Sequence, residues 1–242
     1  MVFKTLREDI NAYLERDPAA RGPLEIVLCY PGFHALVTYR FCHWLWKCRL
    51  FLLGRFLSHI GRMLSGIEIH PGAVIGKRFV IDHGTGVVIG ETAVIGDDVT
   101  LYHDVTLGGV APSVDSQSQV GQKRHPTLED GVIVGSGAQI LGPITIGAHA
   151  RVGANSVVTK DIESSVTAVG VPAKVIMPRD KEKAREFQAY ATSTDCPDPV
   201  LQTIESLRAQ VTALTQRIEE LEADAAAKPE TEDQEPTRKR AG

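Results

Sequence analysis

From Ile67 onward the chain keeps a strict six-residue period. Ile69, Ile75, Ile81 and Val87 lie six apart, as do Ile89, Ile95, Leu101 and Leu107, and then Leu128, Val134, Ile140, Ile146, Val152 and Val158. Glycine follows the aliphatic residue at Ile75-Gly76, Ile89-Gly90, Ile95-Gly96, Leu107-Gly108, Val134-Gly135, Ile146-Gly147 and Val152-Gly153. This is the hexapeptide repeat of a parallel β-helix. Each unit supplies one short strand and a turn, with the aliphatic residue inward. Three units make a triangular coil, and stacked coils bury a core that no single coil could bury alone.

A rigid framework of this kind ejects surplus residues as loops, and loops on rigid scaffolds are where chemistry concentrates. The period is broken twice. Ile81 and Ile89 are eight apart, so Asp82-His83-Gly84-Thr85-Gly86 forms a local bulge. Leu107 and Leu128 are twenty-one apart, which predicts a polar loop from about Val110 to Lys123.

The segments flanking the repeat obey a different period. Residues 1–65 carry apolar positions at helical spacing, through Leu36, Val37, Phe41, Trp44 and Leu45 and on to Leu53, Phe56, Leu57 and Ile60, punctuated by Pro23 and Pro31-Gly32. Their apolar excess points to self-association. Beyond Pro178, Ile204, Leu207, Val211, Leu214, Ile218 and Leu221 alternate steps of three and four, an a/d heptad seam. The expected organisation is α + β: an α-helical domain over 1–65, a parallel β-helix over 66–178, a coiled-coil helix over 199–224 and a disordered tail over 225–242.

Composition excludes several classes of function. A net charge of -4 gives no basic footprint for nucleic acid. The apolar stretch 26–64 is interrupted by Pro31, Gly32 and repeated Arg and Lys, which argues against a membrane span, and the N-terminus lacks a secretory pattern. Four cysteines without a CxxC pair read as buried thiols in a reducing cytoplasm.

Several segments carry a closer resemblance. Gly66-Ile-Glu-Ile-His-Pro-Gly-Ala73, Ile81-Asp-His-Gly-Thr-Gly-Val-Val-Ile-Gly-Glu-Thr92, Val105-Thr-Leu-Gly-Gly109 and Arg124-His-Pro126 resemble the serine acetyltransferase family. Asp17-Pro-Ala19, Gly32-Phe-His-Ala35 and His43-Trp-Leu-Trp46 in the helical region do the same, so the resemblance covers about residues 5–178. It implies a left-handed β-helix, with acetyl-CoA and L-serine as substrates in the first step of cysteine biosynthesis. By this resemblance His83 is the general base and Glu68 its orienting carboxylate. Glu68 stands fifteen residues earlier, close to the eighteen of one coil, and occupies a position where the family often has Asp.

Asp82 and Asp17 would meet the serine ammonium, and Arg124 with His125 its carboxylate. Gly108, Gly109, Ser136, Gly137 and Gly153 are candidates for acetyl-CoA binding, being small enough for close approach. No cysteine lies within the β-helix, which favours direct transfer over an acyl-enzyme. The resemblance further implies a trimer, or a hexamer built from two, and sensitivity to L-cysteine, which keeps serine's charged ends. Many relatives end in an isoleucine that enters the next enzyme, the sulfhydrylase. This sequence ends Lys-Arg-Ala-Gly242, so that mode of complex is not expected.

Three other readings stand beside this one, of which a non-catalytic scaffold trimer is disfavoured by the Glu68, Asp82 and His83 cluster. An O-acetyltransferase for a sugar or other small alcohol uses the same repeat. Zinc carbonic anhydrases also use β-helices, with His70, His83 and His103 as the candidate ligands here, although no metal is expected.

Overall fold

The computed structural model describes residues 2–110, 117–176, 204 and 207–218. Four helices come first: α1 (Val2–Arg16), α2 (Pro23–Cys29), α3 (Pro31–Lys47) and α4 (Phe51–Ser65). Pro23 and Pro31 each open a helix, where a missing N–H removes no helical hydrogen bond. Gly66, at φ 72°, ends α4 in the left-handed conformation that glycine adopts most readily.

Five coils follow. The first holds β1 (Glu68–Ile69), β2 (Val74–Ile75) and β3 (Val80–Ile81); the second β4 (Val88–Ile89), β5 (Val94–Ile95) and β6 (Thr100–Leu101). The third holds β7 (Thr106–Gly108), β8 (Thr127–Leu128) and β9 (Ile133–Val134); the fourth β10 (Gln139–Leu141), β11 (Thr145–Ile146) and β12 (Arg151–Val152). The last contributes β13 (Val157–Val158) and β14 (Thr167–Val169), after which β15 (Lys174–Ile176) turns back antiparallel on β14.

The strands stack into three parallel rows: β1-β4-β7-β10-β13, β2-β5-β8-β11 and β3-β6-β9-β12-β14. This is the left-handed parallel β-helix of the hexapeptide type. The sequence period becomes a vertical register. Ile69, Ile89, Leu107, Ile140 and Val158 align in the first row, and Ile81, Leu101, Val134, Val152 and Ala168 in the third. All of them are buried. The antiparallel β15 covers part of an open edge, which the six-residue period does not encode.

The other open edge, the first coil, is covered by the helices. Tyr39 Oη donates to Ala73 O (2.7 Å), Ser58 Oγ to Ile69 O (2.8 Å), Arg40 to Gly76 O (3.2 Å), and His43 Nδ1 pairs with Pro71 O (2.8 Å). Arg40 also holds the fully buried Asp9 through two hydrogen bonds. Side chains thus take up backbone groups that a further strand would otherwise satisfy. Residues Met1–Cys196 consequently form one compact unit, and Pro197–Gly242 a second.

In that second unit the described residues 207–218 are helical, with Leu207, Val211, Leu214 and Ile218 exposed on the single chain. The expected tail over 225–242, the rest of the coiled-coil segment and residues 111–116 of the expected loop lie outside the described residues. The cysteine expectation needs correction. Cys42 is buried on α3, but Cys29 at the end of short α2 and Cys48 in the turn after α3 are exposed. No described helix is long and apolar enough to cross a membrane.

Candidate active site

The candidate residues gather at two corners of the triangle. At the corner between the third and first rows, β3 ends and the bulge begins. His83 stands at φ 60°, followed by Gly84 at φ 60° and Gly86 at φ 81°. The same left-handed step recurs at Asp98, Asp104, His149, Asn155 and Ser165, so it is how the repeat turns and no special strain at His83. Gly84 N–H donates to Asp82 O, Thr85 N–H to His83 O and Gly86 N–H to Gly66 O, at 2.8–3.0 Å. The backbone of the bulge is thereby fixed while the His83 side chain, 74% exposed, points away from the framework.

Asp82 lies beside it, its Oδ1 3.8 Å from His83 Nε2, beyond direct hydrogen-bond range. Burial raises the Asp82 pKa; the His83 imidazole opposes the rise, the Asp17 charge reinforces it, and His103 opposes it again. Asp17 follows α1, where its Oδ1 accepts Ala19 N–H (2.8 Å) and its Oδ2 accepts the Tyr30 hydroxyl (2.6 Å). That bond is the leading reason the Tyr30 pKa is raised. Asp17, just past α1, and β-helical Asp82 and His83 are therefore one electrostatic group.

Tyr13 of α1 reaches the end of β3 directly. Its buried hydroxyl donates to Ile81 O (3.2 Å) and accepts from Ile81 N–H (3.1 Å), directly before Asp82. Tyr13 in turn packs edge-on against Tyr30, ring centroids 5.6 Å apart. Gly32 on α3 is tight against the same place, because a Cβ there would overlap Ile81 O.

The corner between the first and second rows carries the second group. Arg124 pairs with Glu91 at 2.8 Å, and His125 sits over Gly90, where a Cβ would overlap its ring. Thr92 N–H donates to His125 Nδ1 (3.1 Å), and Thr92 Oγ1 accepts the backbone N–H of Arg124 (3.0 Å) and of His125 (3.1 Å). Burial, then Arg124, lowers the His125 pKa. His70 joins this corner with its Nδ1 accepting Gly72 N–H (3.0 Å); burial and the nearby Arg55 push its pKa down to about 4 against the opposing Glu91 charge.

The remaining candidates divide between these corners. Gly109 lies near His125 Nε2 and Arg124 O, and Gly108 closes β7 beside it. Ser136, Gly137 and Gly153 lie along the corner that carries His83 and His103: Gly137 N–H donates to His103 O (2.9 Å), and Ser136 Oγ is buried without a hydrogen-bond partner. Glu68 is placed beside the bulge, its N–H donating to Val87 O (2.8 Å), while its carboxylate pairs with Arg62 of α4 at 2.7 Å. Tyr13, Tyr30, Glu91 and Thr92 were given no role by the sequence. Glu91 and Thr92 stand inside the Ile81–Thr92 segment, whereas Tyr13 becomes visible only once α1 meets β3. His70 stands at a different corner from His83 and His103, and among the described residues no three metal-ligating side chains converge.

Residues 1–38 match the family described as serine acetyltransferase, N-terminal, and residues 125–160 the bacterial transferase hexapeptide family of six repeats. A serine acetyltransferase of Mycobacterium tuberculosis is 54% identical over 175 residues, covering 72% of this chain and 73% of the relative. The chain belongs to the serine acetyltransferase family. The crystal structure of the Neisseria gonorrhoeae serine acetyltransferase in complex with serine matches at 42% identity and TM-score 0.66, over 72% of this chain and 68% of that one. The Brucella abortus serine acetyltransferase in complex with coenzyme A matches at 40% identity and TM-score 0.68, over 72% and 67%.

Proposed function

We propose that this member of the family transfers the acetyl group of acetyl-CoA to the hydroxyl of L-serine in one direct step, with His83 as general base. The observation that carries the reading is the grouping of His83 with two carboxylates, Asp82 and Asp17, at one corner, and of Arg124 with a pKa-lowered His125 at another. A serine hydroxyl is a poor nucleophile until its proton is removed during attack. His83 takes that proton as the oxygen adds to the thioester carbonyl. The tetrahedral intermediate collapses, the C–S bond breaks, and the departing thiolate receives the proton from the imidazolium. Backbone N–H groups at Gly108-Gly109 would face the oxyanion.

Asp82 and Asp17 receive the ammonium of serine, and Arg124 and His125 its carboxylate. Glu68, now held by Arg62, is the carboxylate proposed to orient His83 in the assembled site. The serine complex of the Neisseria relative and the coenzyme A complex of the Brucella relative support the choice of substrates. L-cysteine, with the same charged ends, would compete for the same clamp.

The two groups stand a full side of the triangle apart, and six residues of strand span up to about 20 Å. We read that separation as too long for one serine to bridge within a single chain. We read the site as shared, the His83 corner of one subunit facing the Arg124 corner of the next in a homotrimer or a pair of trimers. The exposed apolar residues of α4, among them Phe51, Leu52, Phe56 and Leu64, and of the heptad seam support self-association. A reaction that consumes acetyl-CoA and serine is read as cytoplasmic.

Thiol release from acetyl-CoA tests the acceptor directly. Release with L-serine and none with a galactoside is expected. Release with the sugar alone would assign the chain to sugar O-acetylation, and release with neither would refute acetyl transfer to both.

A further inference from the structure

We propose that Thr92 is the positioning residue of the carboxylate clamp, holding His125 as the Nε2–H tautomer. The inference rests on the reading of Arg124 and His125 as the groups that bind serine's carboxylate. Thr92 makes five hydrogen-bonding contacts to the end of the ejected loop. Its N–H donates to His125 Nδ1 (3.1 Å), and its Oγ1 lies 2.9 Å from the same nitrogen. That oxygen also accepts Arg124 N–H (3.0 Å) and His125 N–H (3.1 Å), and the Thr92 carbonyl accepts Lys123 Nζ (2.6 Å). Lys123 reaches Pro126 O as well (3.1 Å), so the loop is tied on both sides of Arg124-His125.

A backbone N–H can only donate, so Nδ1 must present its lone pair and the proton of the neutral ring resides on Nε2. The Thr92 hydroxyl, already accepting two amide hydrogens, turns its own hydrogen toward Nδ1. Turning the ring over would replace Nδ1 by a carbon and leave Thr92 N–H unpaired. Gly90 completes the arrangement, since any side chain there would displace the ring. His125 therefore offers an Nε2–H at the corner where Arg124, paired here with Glu91, supplies a cation, and together they suit an acceptor with two oxygens. Thr92 touches no substrate in this account and acts through His125 and Arg124.

The test combines kinetics with the tautomer. In Thr92→Val, which keeps the shape and loses the hydroxyl, KM for L-serine is expected to rise about tenfold, as loss of a charge-assisted hydrogen bond would give. The KM for acetyl-CoA should stay where it is, and Thr92→Ser should restore serine binding. 15N spectra of histidine-labelled parent protein, assigned by the signal missing from His125→Gln, should show protonated Nε2 on His125. Protonated Nδ1 would overturn the proposal outright, even were the valine variant unable to fold. Arg124→Gln separates the two levels. If it raises KM for serine and Thr92→Val does not, the role of Thr92 falls while the clamp stands. If neither raises it, the clamp reading is wrong and the proposal falls with it.

Discussion

Removing one oxygen from Tyr13 leaves both the N–H and the C=O of Ile81 without the side-chain partner they have on the open edge of the first coil. Each buried polar group left unpaired costs about 1–3 kcal/mol. Tyr13→Phe is therefore expected to lower the unfolding free energy by at least about 1 kcal/mol in urea titration, with serine KM raised because Asp82 is the next residue. Unchanged stability and KM would show that Tyr13 anchors nothing. Single residues were legible in the sequence where they interrupt its pattern. Asp82 and His83 stand out because they break a six-residue period, and Arg124-His125 because they end an ejected loop. Tyr13 is 68 residues from its partner and one of several aromatic positions in a helical stretch, so no local signal marks it. Thr92 is hidden for another reason. Its role lies in hydrogen bonds across 32 and 33 residues of sequence, bridging the loop that the period only measures.

The first-to-second-row corner behaves as an element with its own acid response. His43, His70 and His125 all have lowered pKa values, chiefly through burial. His70 falls furthest, from an ordinary 6.5 to about 4. Between those values the unfolded chain binds a proton that the folded chain refuses, so stability is complete above 6.5 and is lost as the pH falls toward 4. Protonation of His70 Nδ1 would also break its bond from Gly72 N–H. Urea midpoints should fall with acidification over this window, and His70→Asn, whose Oδ1 can accept that N–H without titrating, should flatten the fall. An equally steep fall in the variant would locate the acid sensitivity elsewhere. The elements themselves were largely readable. The strands occupy the positions the period assigns, and helices begin at Pro23 and Pro31 because proline sets the first turn. The antiparallel return of β15 was not readable, since an edge must exist before anything can cover it.

Over the whole molecule, the helical region docks on the end of the β-helix, and this brings Asp17 to Asp82. The sequence could count two architectures but not their contact, which depends on the side chains of Tyr13, Tyr39, Arg40 and Ser58 reaching individual backbone N–H and C=O groups. If the site is shared between subunits as proposed, mixed assemblies have a calculable activity. His83→Ala and Arg124→Ala subunits, each inactive alone, should regain about a quarter of parental activity when unfolded together and reassembled in equal amounts, because random closed assembly makes that fraction of interfaces intact. No recovery, with mixed assemblies verified by mass, would place each site within one chain. The proposed mechanism stands on one step, in which His83 removes the proton from the serine hydroxyl. The most direct measurement is the steady-state kcat for L-serine-dependent CoA release by His83→Ala. General-base loss predicts a fall of about 100- to 10,000-fold, with KM for acetyl-CoA unchanged. A variant that keeps kcat within a few-fold of the parent would show that His83 is not the base.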